Sequence, residues 1–217
     1  MPTRYRSRSD PATFGVLIYP DVEPIDIGGT VGVISMARRV LPAVSAVTIA
    51  RTAGPVALAG GLTVLAGHGI DDAPACDMVI VCGGPGWRQA SADAALGAWL
   101  RGLQPDTVAS VCTGALILGA AGLLRGRTAT TRRHAAGSET QAPLALLGAD
   151  GTVSAKAAQL VDDGVVTGGG VSLALDATLY LLGRLYGPDA RQEVAQLIEY
   201  DRAYAANLAA LGAVVRQ

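Results

Sequence analysis

Residues 107–124 read TVASVCTGALILGAAGLL, and this stretch decides the fold. Val108 and Val111 among small residues suit a buried parallel strand, and the Ala/Leu/Ile run from Ala115 to Leu124 suits a helix packed on the same sheet. No spacer separates the two, so Thr113 and Gly114 must supply the tight turn. Cys112 stands at that corner. A side chain there is held above the sheet, facing the free N–H groups of the helix start, whose partial positive charge stabilises a thiolate. The pattern predicts a nucleophile with a depressed pKa and a backbone in a sparsely allowed φ/ψ region. The alternative is a small buried thiol, the usual fate of a cytosolic cysteine.

Outward from the elbow, strands and helices alternate. Phe14–Tyr19 (FGVLIY) is an apolar run ending at Pro20, as a first buried strand would be. Ile27, Val31 and Ile34 then recur at helical spacing, with Asp26 at the N-cap or first turn. Taken alone, that aspartate is a cap. Val44–Ala50 alternates as a second strand, Gly54–Leu65 reads as a hairpin, and Cys76–Cys82 (CDMVIVC) as a further buried strand. GGPGW leads from it into a helix over Ser91–Leu103. Gly83, Gly84 and Gly86 lack side chains, so their N–H groups can approach a bound anion, as an oxyanion hole requires. After the elbow come a short strand at Arg127–Thr131, late strands at Thr152–Val161 and Val165–Thr167, a helix from near Ser172 and another over Asp189–Tyr200. The predicted fold is α/β: a doubly wound, mostly parallel sheet with helices on both faces, flavodoxin-like, with a cysteine nucleophile elbow.

Composition narrows the function classes. The chain has 217 residues, half of them hydrophobic, yet charges, Gly or Pro interrupt every apolar run before it reaches the length of a membrane span. A net charge of −1 supplies no basic field for nucleic acid. Cys76, Cys82 and Cys112 are an odd set without metal-ligand spacing, which predicts reduced thiols in a cytoplasmic protein and no metal. The expected organisation is a disordered arm over 1–12, one domain over 13–202 and a helical tail over 203–217. His134 is a candidate base for Cys112, but its arginine-rich surroundings point to a solvent-facing residue, and His68 reads as a loop residue.

The assembled motifs resemble the ThiJ/PfpI superfamily, with its class I glutamine-amidotransferase-like fold, and within it an isonitrile hydratase-like branch. VEPIDIGGT is similar to that branch's aspartate segment, VCGGPG to its glycine turn, SVCTGALILGAAGLLRGRTATT to its elbow, VDDGVVTGGGVSLALDATLYLL to its distal strand–helix and IEYD to its C-terminal segment. The resemblance implies Cys112 as nucleophile, Asp26 as its acid/base partner, and the N–H groups of Gly84 and Thr113 as the anion-stabilising pair, with Gly83 and Thr30 at the pocket. It also implies a homodimer, for which the apolar first helix offers a surface. The implied activity is addition of water to an isonitrile through a Cys112 thioimidate, giving an N-substituted formamide, on a small-molecule substrate and without a cofactor. The alternatives are a non-enzymatic redox or stress sensor using a Cys112 sulfenate, or a glyoxalase- or amidase-like activity. Thr113 stands where the peptidase branch has histidine, which disfavours proteolysis. Gly28 and Thr30, and Arg132-Arg133-His134, depart from the branch's pattern in segments that border the pocket.

Overall fold

In the computed structural model, which describes residues 5–216, the short apolar runs and helical stretches assemble around one buried cluster that extends from Ala12 to Tyr204. The elements follow the chain as strand β1 (Ala12–Leu17), helices α1 (Pro24–Ile27) and α2 (Val33–Ala37) joined by a wide turn (Gly28–Gly32), β2 (Val44–Ala50), the hairpin β3 (Gly54–Ala57) and β4 (Thr63–Ala66), β5 (His68–Gly69) and β6 (Met78–Val81). Next come α3 (Trp87–Ala92), α4 (Ala94–Gly102), β7 (Val108–Ser110), α5 (Gly114–Ala120), β8 (Thr128–Ala129), α6 (Pro143–Leu147) and β9 (Ser154–Ala155). The chain closes with β10 (Leu160–Asp162), β11 (Val166–Gly168), α7 (Leu173–Tyr186), α8 (Pro188–Leu197), α9 (Asp201–Leu211) and β12 (Ala213–Val215).

The central sheet runs β12-β10-β11-β7-β6-β1-β2-β5, and every pairing in it is parallel except β10 with β11. Every residue of β6 and β7 is buried. A strand loses both faces to solvent only when helices cover the sheet on each side, which is why these strands lack polar alternation. From β1 the chain moves to β2 on one side, and from β6 to β7 on the other. The strand order therefore reverses between β1 and β6, and the crevice beyond their C-terminal ends is where such sheets bind ligands.

Several expected boundaries move. The helix foreseen over Ser91–Leu103 starts earlier and breaks at Asp93, whose Oδ1 accepts the N–H groups of Ala95 (2.9 Å) and Leu96 (3.0 Å) and so caps a second helix. The strand expected over Thr152–Val161 is two: β9 pairs with β8 outside the main sheet, and only β10 joins it. His68, taken for a loop residue, lies in the edge strand β5 and pairs with Ile49.

The two ends are also more ordered than expected. Residues 1–4 of the arm lie outside the described residues, but Arg6 donates its N–H to Leu185 O (2.9 Å) and its guanidinium to Asp77 (2.5 Å). Tyr186 Oη donates to Asp10 O (2.9 Å). The tail is not wholly helical: after α9, β12 adds a parallel edge strand beside β10. Beneath α9 the buried carboxylate of Asp176 accepts from Gln159 Nε2 (2.7 Å), Tyr200 Oη (2.9 Å) and Asn207 Nδ2 (3.2 Å). The IEYD segment thus ties the last helix to the core through Tyr200.

Candidate active site

The elbow is built by backbone. Val111 N–H donates to Val81 O (3.0 Å), which keeps the chain beside β6 for one residue past β7. Gly114 N–H then donates back to Val111 O (3.0 Å) and closes the turn. Gly114 packs its α-carbon on the Val81 carbonyl, where any Cβ would collide. Between them Cys112 takes φ = 89°, a conformation that L-residues with a side chain rarely adopt. Thr131 Oγ1 donates to the Cys112 carbonyl and anchors the strained residue.

Asp26 reaches the elbow from the other side of the crevice. Pro24 starts α1, which puts Asp26 in the first turn, and its side chain is wholly buried. Its Oδ2 accepts the Gly83 N–H (2.7 Å), and its Oδ1 is buried without a hydrogen-bond partner among the described residues. The following turn is π-helical, and Thr30 Oγ1 donates into it, to Asp26 O (2.8 Å) and Ile27 O (3.1 Å). Such bulges re-aim one helical turn relative to the next and recur at functional sites.

The electrostatics of the pair follow from burial. Desolvation pushes the Asp26 carboxyl up to about 7, against the pull of the Gly83 N–H; the charge of Glu23 raises it further, while the Cys112 thiol and Arg132 favour the carboxylate. The thiol of Cys112 is pushed up to about 12, first by burial and then by the charge of Asp26. N–H groups of Val171 and Thr113 oppose this, Val171 from 3.5 Å. The depressed thiol pKa expected at the elbow is therefore corrected: Cys112 is only 3% exposed, and two N–H groups do not offset the loss of water.

Cys112 opens onto a cavity of about 630 Å³ whose walls include Glu23, Trp87, Arg88, Thr113, Arg132, Glu139 and Val171. Among the described residues no three His, Cys, Asp or Glu side chains converge to hold a metal ion.

Residues 15–182 match the model of the DJ-1/PfpI family. The chain belongs to the DJ-1/PfpI family. It is 34% identical over 188 residues to isonitrile hydratase of Pseudomonas putida, spanning 86% of this chain and 77% of that one. Among solved structures, a ThiJ/PfpI family protein from Pseudomonas syringae superposes with a TM-score of 0.73 at 25% identity, covering 89% of this chain and 76% of that one. Drosophila melanogaster DJ-1beta superposes with a TM-score of 0.72 at 18% identity, covering 88% and 98%, which speaks for the fold alone.

In this DJ-1/PfpI chain the structure distributes the expected site residues unevenly. Cys112, Asp26, Gly83 and Thr113 converge. The Gly84 N–H, expected to face a bound anion, is instead taken by Thr113 Oγ1 (2.8 Å), so Gly84 lines the cavity but offers no free donor. Thr30 does not reach the pocket: its hydroxyl turns into its own helix and lies 3.9 Å from Cys82 Sγ. His134 is exposed and absent from the cavity walls, whereas Arg132 lines them, held to Glu139 at 2.5 Å. Val171 was not foreseen. It holds φ = 48°, an outlier for a β-branched residue, and this turn aims its N–H at the sulfur. The run GGGVS before α7 is the local trace of it, though nothing in that run says which sulfur it faces.

Proposed function

We propose that this protein is a cysteine-dependent hydratase that adds water to an isonitrile and releases an N-substituted formamide. One observation carries the reading: a buried carboxyl poised near neutral pH stands beside a thiol that burial keeps protonated, on a chain 34% identical to an isonitrile hydratase. A base with a pKa near 7 is suited both to take a proton and to return it.

The carboxylate of Asp26 takes the Cys112 proton, and the sulfur lone pair forms the S–C bond to the terminal isonitrile carbon. That carbon then receives the proton from Asp26, leaving an R–N=CH–S thioimidate. Asp26 next accepts a proton from water as the water oxygen adds to the same carbon, and passes that proton to the nitrogen, leaving R–NH–CH(OH)–S and an ionised Asp26. Collapse of the tetrahedral adduct breaks the C–S bond as Asp26 carries the hydroxyl proton to the departing sulfur, and R–NH–CHO is released with the thiol and the carboxylate restored. The N–H groups of Val171 and Thr113 favour the thiolate as it forms.

A redox-sensor role is less well supported, because oxidation to a sulfenate follows thiolate character and exposure, and Cys112 has little of either. The test is incubation with aliphatic isonitriles while following the formamide proton by NMR. Turnover lost in Cys112→Ser supports the hydratase. No turnover across a panel, with selective oxidation of Cys112, overturns it in favour of the sensor.

We also propose a cytoplasmic homodimer; among the described residues no helix is long and apolar enough to cross a membrane. Ile25 is 45% exposed, and Gly28 and Gly32 leave open space on the first helix for a close neighbour. A monomeric mass by light scattering at micromolar concentration counts against the dimer.

A further inference from the structure

The cavity over Cys112 is larger than a bare alkyl isonitrile requires, and its far wall is charged. Two guanidinium groups face it. Arg132 is committed: its Nη2 donates to Glu139 Oε1 at 2.5 Å and its Nη1 to the His134 carbonyl. Its stem lies over Gly170, where a Cβ would come within 2.8 Å of it, so it is wedged as well as paired. Arg88 is different. It is stacked on Trp87 with its central carbon 4.2 Å from the ring centroid, and among the described residues it makes no ion pair and no side-chain hydrogen bond. Stacking fixes the plane of the guanidinium and leaves its edge open to a planar, bidentate acceptor.

We propose that Arg88 is a substrate-binding residue and that the substrate is an isonitrile bearing a carboxylate at the end remote from the reacting carbon. The inference rests on the hydratase reading for the isonitrile, but not for the anion. A carboxylate meets the guanidinium edge with two charge-assisted hydrogen bonds. Glu23 on the neighbouring wall repels a dianion more strongly than a monoanion, which sets a singly charged carboxylate apart from a phosphate. The Arg132–Glu139 pair is nearly neutral toward the ligand, so selection falls to Arg88.

The test separates anion binding from turnover. The unmodified protein is titrated by calorimetry with N-formyl-β-alanine, a formamide product bearing a carboxylate, and with its methyl ester. The acid is expected to bind at least about tenfold more tightly than the ester. Arg88→Gln should abolish that preference and Arg88→Glu reverse it. Because Arg88 is exposed, neither substitution disturbs the core. Equal affinities for acid and ester, no binding of either at millimolar concentration, or a preference that survives Arg88→Glu overturns the proposal. Turnover assays with 3-isocyanopropionate and its ester run alongside: a retained, Arg88-dependent acid preference without turnover of either isonitrile rejects the hydratase reading and leaves the anion site standing.

Discussion

Among the described residues two aspartates, Asp26 and Asp176, are wholly buried, and they are opposites. Asp176, on α7, has both oxygens satisfied, by Gln159, Tyr200 and Asn207. Asp26, on α1, has one oxygen on the Gly83 N–H and the other without a partner. Burial raises both carboxyls, and for Asp176 the side-chain donors work against the rise. The fully bonded carboxylate fastens helices together. The half-bonded one keeps an acceptor without a partner among the described residues, and an unsatisfied buried polar atom points to function more than burial does.

The sharpest test of this contrast is at the sulfur of the proposed Cys112–Asp26 pair. Cys112→Ala should lower isonitrile turnover by about 10⁴-fold or more, without loss of the folded state in near-UV circular dichroism. Asp26→Asn should lower kcat/KM by about 10²–10⁴-fold. It should also remove the acid limb of the pH profile: activity needs Asp26 ionised with the thiol still protonated, so in the unmodified protein it falls as pH drops through about 7. An acid limb that persists in Asp26→Asn would assign that proton to another group.

The structural aspartate should behave in reverse. Asp176→Ala strands the buried Gln159 amide and two half-buried donors, and is expected to lower stability by about 2–4 kcal/mol in urea unfolding, with the kcat/KM of the remaining folded protein nearly unchanged. A smaller effect is expected from Asp26→Asn on stability, with opposite sign at high pH. Because the folded-state pKa of Asp26 lies above its unfolded value, the native state holds the extra proton, and stability falls as pH rises from 3.8 to about 7. The ceiling is about 4 kcal/mol, and about 2 kcal/mol is expected after local relaxation. Asp26→Asn escapes this loss, so its stability relative to the unmodified protein should rise between pH 4 and pH 8. Smallest of all, Tyr200→Phe removes one neutral donor from Asp176 and should cost about 1 kcal/mol.

The elbow was legible because its grammar is local: strand residues, a cysteine, a tight turn and a helix follow one another without a gap, and Cys112 takes the positive φ that such a corner demands. The sheet was legible too, since continuous apolar runs mark strands covered on both faces. Short strands and helix breaks were harder. A cap such as Asp93 acts through two backbone hydrogen bonds within an otherwise helical pattern, and β12 exists only because β10 offers it an edge.

Asp26 read locally as a helix cap, and only its resemblance to a known segment singled it out. Its relation to Cys112 spans 86 positions of chain and depends on a crossover, a π turn and the Gly83 backbone. Sequence alone determined the parallel sheet, the cysteine corner and the residue types available for chemistry, because periodicity and turn grammar act over a few residues. The tertiary structure decided the rest: that Thr113 occupies the Gly84 N–H, that Val171 is bent toward the sulfur, that Arg88 and Arg132 face one cavity, and that the thiol is pushed up and not down. Desolvation and partner choice depend on every group within a few ångströms, and those neighbours come from distant parts of the chain.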